Sequence, residues 1–533
     1  MSQSTYGGLD APLNPSAFVN TKSEVVFKTL DWIISDNLPF SWFEKKRTRE
    51  YGSFKGLSHN QVKHYMHLLR PSVVEDIMKE LPDKFGVVLD GWTHMSEQFI
   101  ALFAVYVNAG DRKEVLLSMT PLIKDTSLAD VQGVDDLQPG PETDEVVSHT
   151  AQKHVHWIRK QLAKLKRSTS CITFIVADNC SVNKKMATDM KVSLLGCASH
   201  RFNLAVQDLM KGEFAELLAK VQKVMLSCKA LNNAAELKKV TSLKPRLLQA
   251  TRWSSAFEML RRFQKLLPSL ERMPKRAKLK MPSKAMLKRM ERSLPLLTKW
   301  HSVTKYLQRD DCSAANVRVI FDKLLSEWPS MESRLASEAS IVHSKEFEHV
   351  VVALQQRVAL TAADKVVLDK FKAPPTPAPI RERTVETFAE DAVTDGDIDD
   401  GMASAYDPIL KQLPPTSKGV ERFFSAAKQV LVTQRKAKNP ANLEVTLFLK
   451  VNARFGDINK VSVLIAADIS GGIGDGAPEQ TEVGDDDDDD VQGVMASDAS
   501  DSDEDMGEGL ISVIVDGDSS DGDEEDDDCE SSC

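Results

Sequence analysis

The sequence predicts an α/β fold: a mixed sheet with an antiparallel meander at one end, interrupted by a large all-helical insertion and closed by helices near the C-terminus. Three observations carry it. The apolar period changes from helical to strand-like at Phe85. Cys171–Ala177 (CITFIVA) is a continuous apolar run, the signature of a strand buried on both faces. From about Asn233 to Lys372 the chain is rich in Leu, Lys and Arg and shows no strand pattern.

Residues 1–22 are expected to be disordered, and 23–84 read as short helices, with Val26, Leu30, Ile33 and Ile34 at helical spacing. The sheet block spans 85–209. Phe85–Leu89 runs into Asp90-Gly91-Trp92-Thr93, and Phe99–Val107 and Glu114–Ile123 follow as two further strands with short connections. A helix is expected over Thr143–Arg167, with Val146, Val147, His154, Ile158 and Leu162 on one side. The CITFIVA strand then ends at Asp178-Asn179. A short helix (Ser181–Met190), a strand (Val192–Cys197) and a long helix (Arg201–Cys228) complete the block. Residues 210–372 form the helical insertion. A Pro-rich and then acidic linker (373–405) leads to a helical block (406–456), and 457–533 read as a disordered acidic tail, too poor in apolar residues to offset ordering entropy.

A chain of 533 residues has room for two to four domains. Its 42% hydrophobic and 27% charged residues exclude collagen-like, mostly disordered and membrane classes. No apolar run approaches the roughly 20 residues of a bilayer span, and the polar start has no signal-peptide core. The seven cysteines are too scattered for a disulfide framework, so an intracellular protein is expected.

The net charge of −10 averages two opposite bodies. Gly471–Cys533 holds 25 Asp+Glu and no Lys or Arg, which leaves 53 acids against 68 bases in residues 1–470, a balance of +15. Lys238–Arg292 alone carries 17 bases against three acids, or +14. Such a localised patch suits a polyanion, nucleic acid being the common one, although a solvated helical face accounts for the same charges. Within it, PKRAKLK (Pro274–Lys280), with Lys275, Arg276, Lys278 and Lys280, has the form of a nuclear-import signal.

Asp90 and Asp178 each stand just past an apolar strand. An isolated carboxylate is costly to bury. Two converging at strand ends could hold a divalent cation through oxygen ligands; either could equally cap the turn that follows it. Arg252-Trp253 could set a guanidinium on phosphate and an indole on a base, or be a surface Arg beside a core Trp. Cys197 and His200 make at most half of a zinc site, and no second Cys/His pair stands at zinc-finger spacing. Glu421, in the first turns of a helix that Ser417 could cap, suits the helix dipole. Beyond Pro440, Leu443, Leu447, Val451 and Phe455 recur every four residues, with Val445, Phe448 and Leu449 on other sides. A helix apolar nearly all round must be buried on more than one side, so a partner chain is expected to cover one of them.

Four blocks resemble the hAT superfamily of DNA transposases: LDGWT (Leu89–Thr93); VADNCSVNKKMA (Val176–Ala187) with GCASHRFNLAVQDL (Gly196–Leu209); TRWSSAFEML (Thr251–Leu260); and LPPTSKGVERFFSAAKQVLVTQRKAKNPANLEVTLFLKVN (Leu413–Asn452). Their order and spacing agree with that family over roughly residues 25–456. The resemblance implies a ribonuclease H-like core split by the helical insertion. It also implies an Asp-Asp-Glu triad at Asp90, Asp178 and Glu421 working with Mg²⁺ or Mn²⁺ in two-metal strand cleavage and transfer. It places His200 near the active centre and makes the last block, with Phe423, Phe424, Leu443, Leu447, Phe448, Leu449 and Val451, a homodimerisation region. DNA is the implied partner, the nucleus the compartment, and no membrane is involved. The first cysteine is Cys171, so the N-terminal BED zinc finger common in that family has no counterpart here. That departure leaves a second reading: a catalytically silent, domesticated DNA-binding and dimerising nuclear protein.

Overall fold

The structure, a computed structural model, describes residues 21–52, 57–94, 97–121, 150–249, 252–274, 277, 279–372, 406–433 and 440–470. The expected linker, the chain beyond 470, and Lys275, Arg276 and Lys278 lie outside these residues.

Two helices, α1 (Thr21–Ser35) and α2 (Lys46–Tyr51), precede the long α3 (His59–Glu80). Ser58 and Gln61 close a capping box at the start of α3, each side chain bonding the other's backbone N–H. The sheet follows: β1 (Phe85–His94), β2 (Glu97–Asn108), β3 (Asp111–Pro121), α4 (Ala151–Lys164), β4 (Ile172–Ala177), α5 (Ser181–Met190) and β5 (Ser193–Gly196). Its order is β3-β2-β1-β4-β5, with β2 antiparallel to β1 and β3, and β4 and β5 parallel to β1. The class is thus mixed α/β around a five-stranded mixed sheet. All six residues of β4 are buried, as its unbroken apolar run requires. Next to it, Gly86 is obligatory: a Cβ there would lie 2.0 Å from the ring of Phe174 on β4.

Each edge strand has backbone groups met by a side chain from elsewhere in the chain, which reduces the free ladder groups that invite edge-to-edge pairing. On β3, the Asn452 amide accepts from the Leu116 N–H and donates to the Leu116 carbonyl. On β5, the Leu194 N–H donates to Ser344 Oγ (3.0 Å).

Beyond β5 the chain turns helical: α6 (Ala198–Gly212), α7 (Ala215–Lys229), α8 (Leu231–Val240), α9 (Trp253–Glu271), α10 (Lys284–Leu307), α11 (Ala314–Glu327) and α12 (Glu332–Leu335). The long helix expected over Arg201–Cys228 is two helices, broken just after Gly212, a residue that weakens a helix interior. The apolar core of this helical body runs from Ala198 to Leu335. It therefore begins at the end of β5 and finishes before residue 345. α13 (Lys345–Gln355) and α14 (Ala362–Leu368) belong to the sheet core instead, because Phe347 stacks between Phe174 of β4 and Phe371.

Three further helices follow among the described residues: α15 (Lys418–Thr433), α16 (Pro440–Val451) and α17 (Ile458–Ser470). The last was expected to be part of the disordered tail. Its apolar residues Val461 and Ile465 are instead buried with the sheet core, against α1 and α3. The dimerisation assignment also changes. Phe423, Phe424, Leu443, Leu447, Phe448 and Leu449 are all buried within the single chain. β3 covers one side of α16 and α1 and α3 cover another, so the all-round apolar helix needs no partner to cover it. Arg70 of α3 pairs with Glu444 at 2.5 Å and lies over the Phe448 ring. Of that set only Val451 remains exposed. Among the described residues no helix is long and apolar enough to cross a membrane.

The helical body is pinned to the sheet core by Arg201, whose side chain is only 2% exposed. Its guanidinium donates twice to the Glu348 carboxylate of α13 (2.8 and 3.1 Å) and to the carbonyls of Arg334, Leu335 and Ala336. Breaking a buried pair strands its partner, at ~3–5 kcal/mol. Arg201→Ala should lower the thermal midpoint by several degrees, and a shift under one degree would show that the pair does not hold the two bodies together. Phe448→Asp with Leu449→Asp should yield a destabilised, aggregating chain. A folded species of smaller mass by light scattering would return these side chains to an interface.

Candidate active site

β1 passes to β2 on one side, while β4 passes through α5 to β5 on the other. That divergence opens a crevice at the carboxyl ends of β1 and β4, where open α/β sheets place their ligands. Asp178 stands there, just past β4. Asp90, expected just past its strand, lies within β1, paired with Ala101 of β2 and two residues beyond Val88, because β1 runs on beside β2 after its pairing with β4 has ended. Val88 of β1 pairs with Val176 of β4, and each aspartate lies two residues further on, so the register carries both to the same face, side by side. Both are 8% exposed.

Glu421 reaches that face from 243 residues further along the chain than Asp178. On α15, Phe424 packs on Trp92 (ring centroids 5.6 Å) and Phe423 on Phe103 of β2 (5.5 Å), which lays the helix across β1 and β2. Trp92 shares its face with Asp90. Glu421, one helical turn before Phe424, is carried to the same region, in the first turn of α15.

The entry to α15 is tied to the end of β5. The Cys197 N–H donates to the Ala177 carbonyl of β4 (2.7 Å), and the Ala198 N–H to the Pro415 carbonyl (2.9 Å). The Ser417 N–H and hydroxyl both donate to Cys197 Sγ (3.4 Å each). Ser417 was expected to cap the helix with its side chain; its carbonyl accepts from the Val420 and Glu421 N–H groups, and its hydroxyl is spent on the sulfur. The His200 backbone N–H also points to that sulfur. Cys197 of the C-x-x-H pair is therefore part of a packed junction.

Each acid is turned on a protein partner. Asp90 Oδ1 accepts from the Gly91 N–H (2.8 Å). Asp178 Oδ1 accepts from Asn183 Nδ2 in the first turn of α5. Glu421 Oε2 accepts from Arg252 Nη2 (3.3 Å) at the entry to α9. Burial pushes the Glu421 carboxyl above its usual range, and the Arg252 charge pulls it partly back. Among the described residues, no three His, Cys, Asp or Glu side chains are grouped closely enough to hold a metal ion as they stand.

Other expected contacts resolve differently. Arg252 lies at the site, but Trp253 does not offer its face to a base. It is 3% exposed and packs edge-on against Phe202 and Trp300 in the helical core. His200 is half-buried in the first turn of α6. Lys280 is exposed, at the far end of α9 from Arg252. Sequence reasoning missed Asn183, which holds Asp178; its place five residues on, in a helix's first turn, was a readable signal. It also missed the Arg252–Glu421 pair, for which local sequence held no signal.

No protein-family model matches the chain, and no curated protein matches it.

Burial and the Glu421 charge push the Cys197 thiol up to about 11. At pH 8 only ~0.1% of such a thiol is thiolate, the reactive form. In the native protein Cys197 should resist alkylation long after half-buried Cys171 has reacted, and should label only on unfolding. Labelling of both at equal rates would place the 197–417 junction in an open state.

Proposed function

We propose that this chain is a hAT-type, transposase-derived DNA-binding protein with a ribonuclease H-like core, and that Asp90, Asp178 and Glu421 serve metal-dependent DNA strand cleavage and transfer. The observation that supports this best is the strand order β3-β2-β1-β4-β5, with Asp90 within β1 and Asp178 just past β4 carried to one face by the register, and a glutamate brought toward that face by a distant helix.

The donor chemistry suits Mg²⁺ or Mn²⁺, which take carboxylate oxygens, while the nearby sulfur of Cys197 is already engaged. When bound, such ions activate the attacking oxygen and neutralise charge on the phosphodiester. Asp90 and Asp178 would be the standing ligands, with Asn183 orienting Asp178. Glu421 would join by giving up Arg252, whose guanidinium then suits a phosphate oxygen. α9 has 19 residues and is about 28 Å long at 1.5 Å per residue. It runs from Arg252 at the site to the basic stretch, so duplex lying along it would meet both. Such a role belongs in the nucleus, with PKRAKLK as import signal.

The Arg252–Glu421 ion pair favours a second reading, a silent DNA-binding protein, because the arginine satisfies the glutamate without a metal.

Incubation of supercoiled plasmid with the full chain and Mn²⁺ separates the two. The first reading expects nicking that Asp90→Asn reduces at least a hundredfold and a chelator abolishes. Calorimetric titration gives an independent readout: Asp90→Asn should lose Mn²⁺ binding, and Arg252→Gln, by releasing Glu421, should tighten it. Salt-dependent DNA binding with neither nicking nor Mn²⁺ uptake would establish the silent reading.

A further inference from the structure

The basic stretch forms a surface at one end of the helical body. Trp253, at the start of α9, packs on Trp300 and His301 late in α10, so the two helices run antiparallel. The end of α9 therefore lies beside the start of α10. Lys265 and Arg272 are exposed toward the end of α9, and Lys284, Lys288 and Arg292 are exposed on α10. The last three recur at i, i+4 and i+8, one stripe with a charge about every 6 Å.

We propose that this surface is the docking site of the chain's own acidic segment, Gly471–Cys533. Charge complementarity is the first reason. The 63 residues after Ser470 hold 25 acids and no bases, against +14 in residues 238–292. Spacing is the second. Asp485–Asp490 and Asp523–Asp528 are each six consecutive acids. In an extended chain every second residue advances about 6.6 Å, close to the rise between the bases of the α10 stripe. Reach is the third. α17 ends at Ser470, and any chain of 63 residues can reach at most about 200 Å when fully extended. Tethering at that length gives the segment an effective concentration near the millimolar range, ahead of any free polyanion at lower concentration. The docking stands on these charges alone. Its consequence, competition with DNA, rests on the proposed function.

Zero-length carbodiimide cross-linking of the full chain tests the docking directly. The support is carboxyl–amine links in the monomer fraction running from residues 471–533 to Lys265, Lys280, Lys284 and Lys288, lost at about 0.5 M salt where screening is short-ranged. Links spread evenly over exposed lysines elsewhere, such as Lys28 and Lys153, or links only between chains, overturn it. The second arm compares DNA affinity with a full-length variant in which the 25 acids become Asn or Gln. The variant should bind at least tenfold more tightly at about 50 mM salt, with the gap closing as salt rises. Equal affinities overturn the competition. Absence of DNA binding in both, with the cross-links in place, sinks the DNA reading and leaves the docking standing.

Discussion

The tie between residues 197–198 and 415–417 is the constraint on which the candidate site depends. Two strand ends, the start of α6 and the entry to α15 meet there through backbone hydrogen bonds and a buried sulfur. Thiols are weak acceptors, yet Cys197 takes two bonds from Ser417 because no water competes at that depth. The packing of Phe423 and Phe424 fixes where α15 lies on the sheet, and the sulfur junction fixes where it starts. Together they bring the first turn of α15, and Glu421 with it, to the side of the sheet where Trp92 lies.

Much of the sheet could be read from the sequence because each strand announces itself locally. CITFIVA has the unbroken apolar character of a strand buried on both faces, and β4 is that strand to within one residue. The three-strand meander and the α5 helix were equally legible, the helix to the residue. What sequence could not show was which surface covers which. The apolar sides of α16 suggested a second subunit, but α1 and α3, nearly 400 residues earlier, fill that role. Trp253 shows the same limit: a Trp beside an Arg looks alike whether it faces DNA or a core, and only the ring contacts with Phe202 and Trp300 decide. Asp90 and Asp178 were legible as candidates because each follows an apolar run, although β1 continues past Asp90 to His94. The guanidinium that meets Glu421 was not, since that pairing spans 169 positions.

The helical body has a division of labour along one rod. The start of α9 touches the acidic site and its other end carries exposed bases. Trp253, Phe257 and Phe263 bury the inner side of the helix, and Pro268 lies between them and its basic end. A charge bound at the basic end and a change of partner at Arg252 would act on the same helix, which gives the two sites a shared element.

The C-terminal helices return to the very start of the chain. Lys450 donates to the Ser35 carbonyl across 415 positions, and His67 meets Asn442 across 375. On a ribosome adding roughly 5–20 residues per second, α1 and α3 would leave the exit tunnel long before their covering helices exist. Their apolar sides would then stay uncovered for tens of seconds. Nascent chains of this protein should therefore lean on holdase chaperones until translation is nearly complete, and a premature stop codon after the helical body should leave a product that cells clear and do not store.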